Sequence, residues 1–262
     1  MTVATGATSV GEARAVLARY LRQLEELGGP SIYLTSLDPS EAVAAVRRIA
    51  GTGETAREAR GGPVAHAGGG VGAPPDSPAL RVLAQEAAVC TRCRLSDGRR
   101  NVVFGVGDGG ADLVVVGEAP GSEEDRTGLP FVGRAGKMLD LLLMSAGFPR
   151  ESVYICNVLK SRPPNNRDPQ ADEVAACTTA FLHPQLDEIA PRVLLAVGRF
   201  AAHVLTGADA PIGRLRGRVH VYRGTPVVVS YHPAYLLRSP HLSRVAWEDF
   251  QLVRKVLDEQ RV

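Results

Sequence analysis

The sequence lacks the long apolar runs that would place it in a membrane. Its 262 residues contain no run near the roughly 20 apolar residues that span a bilayer, and its first residues, MTVATGATSVGEARA, are too polar for a signal peptide. Cysteine is also scarce, with 4 in the whole chain. We therefore expect a cytoplasmic protein that contacts no membrane, in a reducing compartment where cysteines rarely form disulfides.

The sequence also has little excess charge of either sign. It carries 30 Lys and Arg against 28 Asp and Glu, a net charge of +2, with 45% hydrophobic residues as in ordinary globular proteins. This balance permits nucleic-acid binding without requiring it. Any DNA-binding face must therefore be a local patch.

The N-terminal part of the chain differs in composition from the rest. Leucines recur at helical spacing between residues 17 and 27, and a second helical stretch follows residue 40. Residues 51–78 are rich in Gly, Ala and Pro and have no periodicity. We predict an N-terminal helical extension over residues 1–50, a flexible linker, and a main domain over residues 79–262.

The main domain alternates short β-branched runs with helical patterns. The predicted buried strands cover 112–117, 153–159, 192–198 and 226–231, and the predicted helices cover 134–146, 170–190, 199–206 and 243–259. This alternation predicts an α/β fold, a three-layer α/β/α sandwich with a central, mainly parallel four-stranded sheet. Ligands bind such sheets at the carboxyl ends of the strands, where Glu118, Asn157 and His232 occur.

The segment GEAPGSEEDRTGLPFVGRAGKMLD, residues 117–140, concentrates acidic side chains in a glycine-rich turn. Its carboxylates could stabilise a cation at a glycosidic centre and orient an attacking water. They could equally be solvated or cap the helix that begins near Gly133. Taken alone, the segment leaves both interpretations open.

Three further blocks accompany this segment in order: YICNVLKSRPPNNRDP (154–169), HPAYLLRSP (232–240) and WEDFQLVRKVL (247–257). Together the blocks resemble the family 4, or iron–sulfur type, uracil-DNA glycosylases of the uracil-DNA glycosylase superfamily. The resemblance covers roughly residues 80–260 and identifies residues 79–262 as a glycosylase domain. It implies a monofunctional enzyme that flips uracil out of DNA and hydrolyses its N-glycosidic bond, which starts base-excision repair.

The resemblance assigns roles to individual residues. Phe131 matches the aromatic on which the extruded base stacks, and Asn157 matches the amide that reads uracil through one donor and one acceptor. His232 matches the histidine that stabilises negative charge on uracil O2. Each has a structural alternative, as a core Phe, a backbone-bonded Asn or a packed His.

The acidic block supplies the remaining residues of the predicted site. The resemblance implies that Glu118 and Glu124 are catalytic, with Glu118 the first choice for orienting water. Ala119 and Asp125 are predicted to line the substrate pocket.

Basic residues beside the motifs predict a phosphate-binding rim, formed by Lys160, Arg162, Arg216 and Arg238. Each could also be an ordinary solvated side chain. We expect the partner to be uracil-containing DNA, single- or double-stranded, bound by a monomer. Enzymes that process abasic sites are possible downstream partners.

The cysteines indicate a metal site, because Cys90 and Cys93 form a CxxC motif with Cys156 and Cys177 as distant partners. Zinc is one candidate; the resemblance implies a structural [4Fe–4S] cluster instead. The family carries a cysteine where this chain has Ser161. Cys156 lies five residues earlier, about 16 Å away along an extended strand.

Cys90, Cys93 and Cys177 are therefore the predicted ligands, with the fourth ligand open. Cys156 after rearrangement is the expectation, while Ser161 as an oxygen ligand and an exogenous ligand are the alternatives. A labile or absent cluster is a further alternative.

Other functions are compatible with the same fold. A non-catalytic DNA-binding module would be expected to lose His232 or Asn157, and both are present. A relative that becomes covalently trapped on abasic DNA carries a basic insertion with a histidine, which NVLKSRPPNNRDP lacks. Action on other deaminated bases, such as hypoxanthine or xanthine, stays open.

Overall fold

The structure is a computed structural model that describes residues 77–260. The predicted N-terminal helices and nearly all of the predicted linker lie outside the described residues. Within residues 77–260, no helix is long and apolar enough to cross a membrane.

The core of the described part is a six-stranded sheet. Its strands, in chain order, are β1 (Val106–Gly107), β2 (Leu113–Gly117), β3 (Tyr154–Asn157), β4 (Val193–Val197), β5 (Val219–Tyr222) and β6 (Thr225–Ser230). The spatial order is β1-β3-β2-β4-β6-β5. The four inner strands are parallel, and β1 and β5 pair antiparallel at the edges.

Helices cover both faces of this sheet. They are α1 (Pro78–Ala88), α2 (Ser122–Thr127), α3 (Arg134–Ser145), α4 (Ala171–Cys177), α5 (His183–Ile189), α6 (Arg199–Thr206), α7 (Ile212–Leu215), α8 (Pro233–Arg238) and α9 (Ser243–Glu259). Short 3₁₀ turns occupy Arg94–Ser96, Arg150–Ser152, Pro164–Asn166 and Pro240–Leu242. A π-helical turn, Thr178–Leu182, joins α4 to α5, so the predicted helix over 170–190 is one run with a local widening.

Alternation along the strands produces two separate hydrophobic cores. Val114 and Val116 of β2 pack in one core with α1, α5 and α6, whereas Leu113 and Val115 pack in the other with α3 and α9. The three-layer α/β/α architecture predicted from the sequence is confirmed. The difference is the strand count, since two short edge strands extend the predicted four-stranded sheet.

The parallel inner strands end at one edge of the sheet. Gly117 at the end of β2 lies in register with Asn157 at the end of β3. Gly198 and His232 follow β4 and β6 at the same edge. The sheet therefore gathers residues from four distant parts of the chain into one place.

Candidate active site

Gly117 lets two functional side chains meet at the end of β2. A β-carbon at Gly117 would overlap Asn157 Oδ1 and would lie 2.6 Å from Phe131 Cζ. Real β-carbons essentially never come that close to other atoms. The absence of a side chain here is thus what allows Asn157 and Phe131 to share one pocket.

Phe131 is held in a backbone conformation that non-glycine residues seldom adopt, with φ 51°. Gly136 in the first turn of α3 packs directly on the Phe131 carbonyl, where a β-carbon would overlap the oxygen. The surrounding structure therefore fixes this backbone. As a result, the nearly buried Phe131 ring faces the His232 imidazole, with centroids 5.7 Å apart and planes inclined by 31°.

Asn157 carries an unsatisfied acceptor in the pocket. Its side chain is 2% exposed, and Oδ1 has no hydrogen-bond partner among the described residues. A buried polar atom without a partner costs about 1–3 kcal/mol. This oxygen is therefore suited to accept a hydrogen bond from a ligand.

His232 is positioned as a neutral hydrogen-bond donor. It precedes α8, and its Nδ1 accepts from the Ala234 backbone N–H at 3.2 Å, which leaves the proton on Nε2. Burial, reinforced by Arg238 and opposed by Glu124, lowers the pKa of His232 to about 4. The close approach depends on Gly198, where a β-carbon would lie 3.0 Å from His232 Cβ.

Glu118 directly follows β2, and its pKa lies well above the ordinary value of a glutamate. Burial, together with the negative charge of Asp168, raises the pKa of Glu118 to about 7, while Arg199 opposes the rise. Asp168 and Arg199 form an exposed ion pair of 2.7 Å. Sequence reasoning missed both residues; only their positions, near the end of the second motif and just after β4, hinted at a place near the site.

Glu124 ties the turn together through backbone hydrogen bonds. Its Oε1 accepts from the N–H groups of Val132 and Gly133, at 3.0 and 3.1 Å, and its Oε2 accepts from Gly121 N–H at 3.1 Å. Three bonds engage both carboxylate oxygens. In this structure Glu124 thus positions the loop that carries Phe131, and its predicted catalytic role stays a prediction.

Asp125 and Ala119, predicted to line the substrate pocket, make other contacts in the structure. Asp125 is buried and accepts from the backbone N–H groups of Arg100 and Asn101, at 2.9 and 3.4 Å, so it anchors that upstream loop. Ala119 is partly buried against the hydrophobic core on the α1 side of the sheet.

Lys160, predicted to bind DNA, is a core residue in the structure. It is 2% exposed, and its Nζ donates to the Asn157 carbonyl oxygen at 2.8 Å and to Gln185 Oε1 at 2.5 Å. An ammonium in this position cannot reach a phosphate. It supports the end of β3 from beneath the pocket.

The three other predicted DNA-binding residues have different surroundings in the structure. Arg216 forms a 2.9 Å ion pair with buried Asp249, so it links the α7 end to α9 instead of standing free. Arg238 is exposed beside the Tyr235 ring, 5.9 Å from its centroid. Arg162 is half-buried and donates to Asn166 Oδ1 at 2.8 Å.

A second site lies beside α1, in a small cavity that we call the cysteine cavity. Its wall includes Cys90, Cys93, Cys177 and Ser161. Backbone N–H groups approach two of the sulfurs, from Arg92 to Cys90 at 3.5 Å and from Lys160 to Cys177 at 3.3 Å. Burial raises the pKa of the Cys177 thiol, and Lys160 opposes the rise.

Cys156 does not line the cysteine cavity. It is fully buried in the sheet core, where β3 pairs it with Val116 of β2. The structure therefore brings together three of the four predicted cysteine ligands and puts Ser161, not Cys156, beside them. Among the described residues, no three His, Cys, Asp or Glu side chains converge closely enough to hold a single metal ion.

The cysteine cavity is cationic. Arg92, Arg99 and Lys160 contribute to its wall, and none of the described lining residues is acidic. Of these three residues only Lys160 is buried, whereas Arg92 is exposed and Arg99 is half-buried. A group bound through several thiolates would bring negative charge beside them.

The chain is similar to known proteins over about two thirds of its length. A sequence profile of the uracil DNA glycosylase superfamily matches residues 104–251. The Type-4 uracil-DNA glycosylase of Thermotoga maritima is 42% identical over 185 residues, which cover 69% of this chain and 96% of that protein. The proteins of the same name from Archaeoglobus fulgidus and Saccharolobus solfataricus are 41% and 38% identical, covering 68% and 70% of this chain and 94% and 88% of their own lengths.

Proposed function

The chain belongs to the uracil-DNA glycosylase superfamily, and we propose that it removes uracil from DNA by hydrolysing the N-glycosidic bond. One observation carries this proposal: the buried, unpartnered Oδ1 of Asn157 beside the Phe131 ring. Such a pocket fits a flat base that carries a hydrogen-bond donor on its edge. A base reaches it only after leaving the helical stack.

Asn157 distinguishes uracil from cytosine by the hydrogen on N3. Uracil N3–H donates to the orphan Oδ1, and the Asn157 amide nitrogen donates to uracil O4. Cytosine has no hydrogen on N3 and presents an amino group at position 4, so both contacts fail. Phe131 provides the stacking surface, worth about 1–3 kcal/mol for a base.

His232 stabilises the departing base. When the glycosidic bond breaks, its electron pair moves to uracil N1 and the negative charge spreads to O2. A neutral imidazole donates Nε2–H to that oxygen without losing its proton, because Nδ1 is engaged by Ala234 N–H. A preorganised donor of this kind accelerates such reactions by about 100- to 1000-fold.

Glu118 acts on the sugar side of the bond. Its ionised carboxylate stabilises the cationic character that develops at C1′ and accepts a proton from the water that adds there. With a pKa of about 7, the carboxylate is half ionised near neutral pH. Glu124 contributes through the loop, by keeping Phe131 against the base.

DNA is held by the exposed cations around this edge, among which Arg238 lies nearest the histidine in sequence. Phosphate contacts fix the register of the strand without reading its sequence. We place the protein in the cytoplasm as a monomer acting on single- or double-stranded DNA. Its abasic product passes to other repair enzymes.

The cysteine cavity is proposed to hold a structural [4Fe–4S] cluster through Cys90, Cys93 and Cys177. Thiolates of a cubane bind different irons, so they need not converge on one point as the ligands of a single metal ion do. The backbone donors to sulfur and the cationic wall also fit a thiolate-bound anionic group. When bound, the cluster cross-links the segment after α1 to the end of α4.

A single assay tests the glycosylase proposal. The full chain is incubated with an oligonucleotide that contains one uracil, and abasic sites are then cleaved with alkali. We expect strand cleavage at uracil with wild type and a large loss with Asn157→Ala at unchanged melting temperature. Folded wild-type protein that binds the oligonucleotide but yields no abasic site would instead support a non-catalytic DNA-binding module.

A further inference from the structure

The cysteine cavity has a serine at its fourth corner. Ser161 is 7% exposed and shares the cavity wall with Cys90, Cys93 and Cys177. Its Oγ accepts a hydrogen bond from Arg99 Nη1 at 3.3 Å. Ser161 is therefore a buried residue of the cavity wall, and its hydroxyl contacts a positive charge.

Arg99 is held in place at this corner. Its second nitrogen, Nη2, donates to the carbonyl oxygen of Ala88, the last residue of α1, at 3.2 Å. Ala88 lies two residues before Cys90 in the sequence. Arg99 thus bridges the segment that carries the CxxC motif and the loop that carries Ser161.

Cys156 cannot take this corner without breaking the sheet. Its strand pairs with β2 on one side and with β1 on the other. Its thiol is wholly buried in the sheet core and does not line the cysteine cavity. Rotating Cys156 toward the cavity would remove backbone hydrogen bonds of an interior strand.

We propose that Ser161 Oγ, supported by Arg99, is the fourth ligand of the cluster, which is therefore bound by three thiolates and one serine oxygen. This inference rests on the proposed cluster. On binding, the Ser161 O–H bond breaks, an iron–oxygen bond forms and the proton passes to solvent water. Coordination to a cation lowers the pKa of a bound hydroxyl, and the Arg99 guanidinium donates a charge-assisted hydrogen bond to the resulting alkoxide.

An oxygen ligand makes this corner different from the other three. Iron in sulfide clusters prefers soft thiolates, so the iron bound to the harder oxygen is held less firmly. Oxidation should remove that iron first and leave a three-iron cluster. Serine at this position therefore predicts a cluster that keeps all four irons under anaerobic conditions and loses one iron on exposure to air.

The test compares iron and sulfide contents and electron paramagnetic resonance spectra of anaerobically reconstituted full-length variants. We expect wild type and Ser161→Cys to bind about four irons per chain, Ser161→Ala to bind about one fewer, and Cys156→Ser to match wild type. After oxidation, wild type should develop the three-iron signal and Ser161→Cys should resist it. Arg99→Met should lose the fourth iron faster than wild type, whereas Arg126→Met, which removes an exposed arginine bonded to Glu123, should not.

Two results would overturn the inference. If Ser161→Ala kept the iron content and spectra of wild type, solvent would be the fourth ligand. If Cys156→Ser lost iron, the strand cysteine would be the ligand. Reconstituted wild type without iron would reject the cluster itself, and uracil excision measured on the same samples reports separately on the glycosylase proposal.

Discussion

Gly117 and Asn157 end neighbouring strands in register, and the Asn157 side-chain oxygen fills the space that a β-carbon on Gly117 would need. The same β-carbon would press on the edge of the Phe131 ring. The pocket thus depends on a missing side chain as much as on those present. A single added methyl group should displace both the amide and the stacking surface.

Gly117→Ala is therefore expected to reduce uracil excision by at least about 100-fold, because a misplaced reactive geometry carries costs of that size. The measurement is the single-turnover rate on a uracil oligonucleotide. Gly110→Ala is the matched control, since its nearest neighbour would be Asp108 Oδ1 at 3.7 Å. Equal rates for the two variants would mean that Asn157 and Phe131 do not act on the base.

The pH dependence of excision should report Glu118. The ionised carboxylate is the active form, so the single-turnover rate should rise with pH and level off above an inflection near the pKa of about 7. Glu118→Gln should be slow and should lose the inflection. Glu124→Gln should also be slower, because one amide oxygen replaces two carboxylate acceptors, but its inflection should stay.

The neighbours of Glu118 should move that inflection in opposite directions. Asp168 raises the pKa of Glu118, so Asp168→Asn should shift the inflection to lower pH. Arg199 lowers the pKa, so Arg199→Gln should shift it to higher pH. If the two variants shifted the inflection in the same direction, or if neither shifted it, the inflection would belong to a group other than Glu118.

The sequence was sufficient to predict the central layers of the fold. The four inner strands are short, mainly apolar runs that are largely buried on both faces, which is a strong local signal. The edge strands were not predicted, because β1 has only two residues and β5, Val219–Tyr222, alternates between exposed and half-buried residues. The active-site edge followed from the strand ends, where Glu118, Asn157 and His232 were expected and are found.

Individual side-chain tasks were harder to predict because they depend on tertiary contacts. Lys160 lies in a motif rich in basic residues, and no local pattern shows that Gln185, 25 residues away, accepts a hydrogen bond from it in the core. Similarly, the three backbone donors that engage Glu124 come together only when the loop folds back. A charged residue beside a motif is therefore a weak predictor of surface position.

Lys160 and Arg238 should consequently respond differently to mutation. Lys160→Met leaves the Asn157 carbonyl and Gln185 without their donor, so it should lower the melting temperature and slow excision. Arg238→Gln should melt as wild type but should bind uracil-free DNA with a slope of log affinity against log salt smaller by about 1. A reduced salt slope in Lys160→Met would mean that Lys160 contacts DNA phosphates.

His232→Ala should keep the fold and DNA binding but lose about 100- to 1000-fold in excision rate. The reason is that a neutral Nε2–H donor is removed from the pocket wall. His241→Ala, which changes an exposed histidine of the same region, serves as the control. Single-turnover excision near the wild-type rate by folded His232→Ala would remove this residue from the mechanism.

Asn157→Asp tests base recognition itself. The carboxylate keeps an acceptor for N3–H but can no longer donate to uracil O4, so uracil excision should fall. Cytosine offers an amino group at that position, and a carboxylate oxygen can accept from it. We therefore expect slow cytosine excision by this variant and none by wild type, measured as alkali-labile sites in a cytosine-containing single strand. If the variant excised uracil at the wild-type rate and left cytosine intact, the unpartnered Oδ1 would serve the packing of the strand ends, and the base would be read elsewhere.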